Sequence, residues 1–200
     1  MENTDLMKRC QLGDLDSFSE LYHLHRKKAL GTAYLISNQK GIAEDIVQES
    51  FIECFRKIRT LKNPEAFEAW FYKILVRTGW RMVKKHNYFL LVGDQNIEGL
   101  SAAIMDSNSE LDTSVTNLMV HEALAQLSLP LKTVVILYYF NDMTIEKISK
   151  VLGCFPGTVK SRLYNARIQL HDVLNVNELN EPAVNIFFSK RKEYGLDGNA

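Results

Sequence analysis

Two groups of side chains in this 200-residue sequence have the types and spacing to do chemistry. Between Gly41 and Ile58, the polar residues Glu44, Asp45, Gln48, Glu49 and Glu53 share one side of an expected helix. Ile42, Ile46, Val47, Ser50, Phe51, Cys54, Phe55 and Ile58 form a broad stripe on the other. Asp45 and Glu49 are i, i+4 neighbours whose like charges repel weakly, a cost that a basic partner surface would offset. A solvated face is the plain alternative. An acid–base carboxylate pair is a third, but no nearby nucleophile, metal partner or pocket is evident for it. The second group is Thr158, Lys160, Ser161, Arg162, Asn165 and Arg167, opposite an apolar side of Val159, Leu163, Ala166 and Leu170. These are the donors and cations that phosphates and base edges require. An ordinary helical hairpin with a solvated charged face would also show them.

The elements that must position the second group can be read from the punctuation around it. Thr144 is placed to cap a helix carrying Ile145, Ile148, Val151 and Leu152 on one face, and Gly153 stops it. Pro156 fits the first turn of the next helix. Two helices crossing at a steep angle over such a short connection make a helix-turn-helix, whose second member enters the DNA major groove. Ahead of it, Leu118, His121, Leu124 and Leu127 lead to a Leu129-Pro130 stop. The run Thr133 to Phe140 reads as an apolar helix, although its residue types also suit a buried strand.

The first group sits in an earlier block. Leu6 to Leu35 keeps helical spacing with a break at Gly13-Asp14. Asn63-Pro64 leaves a short basic loop after Ile58. The helix from Phe67 turns Phe67, Trp70, Phe71, Ile74 and Leu75 inward while Arg77, Arg81, Lys84 and Lys85 form a cationic stripe. Cations beside aromatics are what single-stranded DNA binds.

Composition fits two small domains, with 46% hydrophobic and 24% charged residues. The formal net charge of zero divides into +4 over residues 1–86, −5 over 87–118, +2 over 119–174 and −1 over 175–200. Two mildly basic blocks thus flank an acidic connector. Cys10, Cys54 and Cys154 are odd in number and widely spaced, supporting neither a disulfide framework nor a zinc site, and His23 and His25 point to different helix sides. No metal or cofactor is expected. The sequence shows neither an export signal nor an apolar run long enough for a membrane span, so a cytoplasmic home is expected.

The segment Ala43-Glu44-Asp45-Ile46-Val47-Gln48-Glu49-Ser50-Phe51 resembles the region-two signature of extracytoplasmic-function (ECF) sigma factors of bacterial RNA polymerase. Gly157 to Leu163, GTVKSRL, followed by Ala166-Arg167, resembles the promoter-reading helix of the same family. Weaker likenesses, Trp70 to Ile74 and the segment from Leu129-Pro130 to Asn141-Asp142-Met143-Thr144, lie between them in family order. The resemblance implies an all-α, non-enzymatic protein with a region-two domain over 1–86, a flexible acidic linker over 87–117, a region-four helix-turn-helix over 118–174 and a tail of unassigned role over 175–200. It implies contacts to the clamp helices of core polymerase through Glu44, Asp45, Gln48 and Glu49, with the polymerase flap a further partner. Arg59, Lys62, Asn63, Trp70, Arg77, Arg81, Lys84 and Lys85 would meet the minus-ten element, Trp70 being more at home in the core. Thr158, Lys160, Ser161, Arg162 and Asn165 would read the minus-thirty-five element, with Arg167 on a phosphate. An anti-sigma protein would hold the chain inactive. The acidic connector, with Asp106, Glu110 and Asp112, would thread toward the polymerase cleft. Departures from the family pattern are Arg77 and Arg81 at positions often Asn and Asp, Lys147 at a Glu position and Phe155 where Ser usually caps. A free-standing helix-turn-helix regulator and a carboxylate enzyme using Asp45 and Glu49 are the rival readings.

Overall fold

The computed structural model describes residues 2–92 and 115–175, and within them every regular element is helical. The acidic connector with Asp106, Glu110 and Asp112, and the tail after Asn175, lie outside the described residues. Helices α1 (Glu2–Leu12) and α2 (Leu15–Ser37) meet at the expected break. Gly13 takes φ +94 there, and a Cβ at that position would stand 2.9 Å from the Arg59 guanidinium. Asp14 caps α2 by accepting from the Asp16 amide at 3.1 Å and the Ser17 hydroxyl at 2.6 Å. After α2 the chain turns through Asn38 in the left-handed region and enters α3 (Lys40–Lys57). Two short 3₁₀ turns, Ile58–Thr60 and Pro64–Ala66, carry the basic loop to α4 (Phe67–Val92). The second block comprises α5 (Val115–Gln126), α6 (Leu129–Val135) with a π-turn over Ile136–Phe140, α7 (Ile145–Leu152) and α8 (Pro156–Asn175). The apolar run is therefore helical, as the family resemblance of its flanks implies, and α4 continues six residues beyond the expected boundary at residue 86.

Helices α2, α3 and α4 bury Leu21, Ile36, Ile46, Phe51, Phe71 and Leu75, with the Phe51 and Phe71 rings 4.7 Å apart. Burying side chains of this size supplies about 1.5–3 kcal/mol each. Cys10 and Cys54 belong to the same core, and burial pushes the Cys54 thiol up to about 12, which leaves it an inert apolar group. In the second block Leu124, Ile136, Leu137, Ile148, Val159 and Leu163 are fully buried.

Both blocks join along α2 and α4. Asn141, 3% exposed, accepts the Tyr72 hydroxyl on Oδ1 at 2.9 Å, with the Thr32 hydroxyl 3.1 Å from the same oxygen. Its backbone carbonyl accepts from Lys28 Nζ at 3.2 Å. Trp80 donates to the Thr133 hydroxyl at 2.9 Å, and Glu68 lies between Lys147 (2.6 Å) and Lys28 (3.5 Å). Glu68 is held below the usual carboxylate range: partial burial works in the opposite direction but is outweighed by the Lys147 and Lys28 contacts. Lys147, which removes the acidic half of a capping box, thus has another partner, while its amide still bonds the Thr144 hydroxyl at 3.2 Å.

Candidate docking and nucleic-acid interfaces

Helix α3 is a five-turn amphipath whose inward positions are fixed by the core, which forces Glu44, Asp45 and Gln48 into solvent. Glu49 is half-buried and pairs with Arg81 on α4. Beside this acidic edge lies an open groove of about 900 Å³ between α2 and α3, with Phe18, Tyr22, Phe51 and Phe55 among its lining and Glu44 and Gln48 also on it. Exposed carboxylates next to an unfilled apolar surface suit a partner carrying both apolar and cationic side chains. The same geometry disfavours a carboxylate enzyme here, because Glu49 is engaged by Arg81 and Asp45 faces bulk water.

On α4, the spacing predicted for Arg77, Arg81, Lys84 and Lys85 places all four in solvent. Tyr88 and Phe89 continue that stripe, with Lys85 Nζ 5.8 Å from the Phe89 ring centre. Sequence reasoning missed them although they follow Lys84 and Lys85 at i+4. Trp70 is half-buried and packs against Phe67 at 6.1 Å between ring centres, in keeping with a core role. Arg59, Lys62 and Asn63 are exposed on the basic loop, where Asn63 Oδ1 accepts from the Glu65 amide at 3.0 Å and fixes the entry to α4.

Thr144 caps α7, and Gly153, at φ 65, ends it in the left-handed conformation that glycine adopts freely. On α8, Lys160, Ser161 and Asn165 are exposed, and Thr158 and Arg162 are half-buried. Tyr164 and Ile168 stand among them, 57% and 46% exposed, and were not among the residues selected from the sequence.

Arg167 requires a correction. It is 8% exposed, its Nε donates to the Tyr139 hydroxyl at 2.8 Å, and its guanidinium lies 5.8 Å from the Tyr139 ring centre. Arg167 is i+4 from Leu163 and i−3 from Leu170, so it shares their inward face and does not reach a phosphate. Arg167→Ala should therefore destabilise the fold by about 2 kcal/mol, through loss of a buried charge-assisted hydrogen bond. A urea-unfolding midpoint identical to that of the parent would contradict this placement.

Among the described residues the arrangement is all-helical, with exposed cationic side chains on α4 and α8 and a separate acidic edge on α3. The sigma-70 region 2 model matches residues 21–88, and the sigma-70 region 4 model matches residues 117–170. The chain is 37% identical over 150 residues to the RNA polymerase sigma factor SigV of Bacillus subtilis, covering 73% of this chain and 86% of that protein. It is 30% identical over 178 residues to the ECF RNA polymerase sigma-E factor of Escherichia coli K12, covering 81% and 88%. Among solved structures, the sigma factor RpoE in complex with the anti-sigma factor NepR from Bartonella quintana shares its fold at TM-score 0.64 and 24% identity, over 80% of this chain and 98% of that one. CnrH in complex with the cytosolic domain of CnrY does so at TM-score 0.65 and 17% identity, over 88% and 98%.

This chain belongs to the ECF sigma factors of bacterial RNA polymerase. As a member it is a transcription-initiation factor that binds core polymerase and directs it to promoters. A free-standing regulator is disfavoured, since such a protein has no need of region 2. No described helix is long and apolar enough to cross a membrane.

Proposed function

We propose that the exposed edge Glu44, Asp45 and Gln48, with Glu49 at its margin and the adjoining groove, is the surface that docks on core polymerase. The observation that supports this most is the placing of three polar side chains on one open face beside uncovered aromatics. On this reading, Arg77, Arg81, Lys84 and Lys85 follow the backbone of the minus-ten region, and the loop with Arg59, Lys62 and Asn63 meets an unpaired base. Helix α8 reads the minus-thirty-five element through Lys160, Ser161 and Asn165, with Thr158 and Arg162 at the side of the same helix and Tyr164 between them. No covalent chemistry is assigned to the chain. An anti-sigma protein is proposed as its inhibitor, and one protein of the same fold, RpoE of Bartonella quintana, was solved in complex with the anti-sigma factor NepR.

Run-off transcription on genomic fragments with purified core polymerase tests the whole reading. Discrete start sites that need this chain are expected, and transcripts no different from those of core alone would overturn it. Arg162→Ala should weaken binding to the selected promoter by about 1–3 kcal/mol if its guanidinium reaches a base. An equal loss on unrelated duplexes would reassign it to phosphate.

A further inference from the structure

Phe155 precedes the reader helix at the position where the family pattern places a capping Ser. An aromatic residue there would ordinarily be accounted for as a staple folded back on its own helix. The structure excludes that: the side chain is 83% exposed, and it takes no part in the apolar core. Its backbone is fixed, because the Phe155 carbonyl accepts from the Thr158 amide at 2.9 Å and the Val159 amide at 3.2 Å. Phe155 thus immediately precedes α8, its carbonyl accepting the helix's first backbone hydrogen bonds. Counting onward, Phe155, Thr158, Arg162 and Asn165 are spaced three, four and three apart, which makes one stripe along the helix. The phenyl ring heads a row whose other members are donors. It stands at the rim of a shallow depression of about 290 Å³ formed with Ser149, Lys150, Gly153 and Cys154.

We propose that Phe155 is a specificity-determining residue, and that its ring packs on the C5-methyl group of a thymine in the minus-thirty-five element. Three points lead to this occupant. The N-terminal residues of a recognition helix are those that meet base edges. The thymine methyl is the apolar group that base edges present in the major groove, and an apolar side chain is its usual partner. Lys150 beside the ring and Lys160 on the helix supply the cations that draw a phosphate backbone to this corner. The inference rests on the reading of α8 given above and adds a base preference to it.

The test uses holoenzyme assembled from core polymerase and the full chain. A promoter duplex is first selected from a library randomised across the minus-thirty-five region. Each thymidine of the selected element is then replaced singly by deoxyuridine, which removes the methyl and nothing else. With the parent chain, one position should lose about three- to tenfold in affinity. With Phe155→Ser, affinity for the thymidine duplex should fall by a similar factor, and deoxyuridine at that position should cause no further loss. Phe155→Leu should keep part of the methyl sensitivity. The Ser variant should melt no lower than the parent, because the ring has no core contacts to lose and Ser can cap the helix. Identical deoxyuridine responses in the parent and Phe155→Ser, or no methyl-sensitive position at all, overturn the inference while leaving α8 as the reader. Failure of the holoenzyme to select any sequence removes both.

Discussion

Asp45→Lys should reduce run-off transcription by about a hundredfold or more while leaving the fold intact. Placing a cation in a contact built for carboxylates costs several kcal/mol, and about 1.4 kcal/mol is a factor of ten. The side chain is exposed on a regular helix, so its replacement opens no cavity and leaves no buried group unpaired. Exchanging the acid even removes a like-charge neighbour of Glu49, so thermal stability should match or slightly exceed that of the parent. Glu49→Lys is a less clean probe, because it also breaks the pair with Arg81 and turns two cations toward each other. Parent-level transcription from the Asp45→Lys protein would show that the acidic face is merely solvated.

A second large effect is expected at Asn141. Truncation to Ala removes the acceptor of the buried Tyr72 hydroxyl and the second partner of Thr32. Leaving a buried donor unsatisfied and opening a small cavity should together cost about 2–3 kcal/mol, read as a lowered urea midpoint. Transcription should respond differently. The two promoter elements lie about 25 base pairs apart, which at 3.4 Å per base pair is about 85 Å. Two blocks packed directly on each other fall well short of that, since a compact unit of this size has a radius of gyration of about 15 Å. On the proposed assignment of α4 to the minus-ten region and α8 to the minus-thirty-five element, promoter engagement separates α7 and the π-turn from α2 and α4. Within the second block Asn141→Ala removes one hydrogen bond, from Asn141 Nδ2 to the Ile136 carbonyl at 3.3 Å, and its other losses fall on the contact that has to part, so run-off activity below the melting range should be retained or raised. A proportional loss of stability and transcription would mean that the junction persists on DNA.

What could be read in the sequence was local. The break at Gly13-Asp14, the Thr144 cap, the Gly153 stop and Pro156 each act within a turn of where they sit, and all appear in the fold as expected. The outward placing of Asp45 and Arg77 followed from a 3.6-residue period whose apolar phase was unmistakable. Arg167 was misplaced because its charge was weighed above its register, although Leu163 and Leu170 already marked its side as inward. The junction between the blocks could not have been foreseen. Asn141 meets Tyr72 and Thr32 across separations of 69 and 109 residues, and Lys147 meets Glu68 across 79, so nothing in the neighbourhood of any of these residues announces its partner. The π-turn at Ile136–Phe140 left no local signal either, since one wider turn does not change an already continuous apolar run.

Size-exclusion chromatography of the chain with core polymerase, followed by binding of the isolated chain to promoter duplex, tests the central claim most directly. The chain should co-elute with the catalytic polymerase subunits through the α3 edge and should grip the duplex only once that complex has formed. A chain that elutes apart from the polymerase, yet binds its operator unaided, would contradict the account.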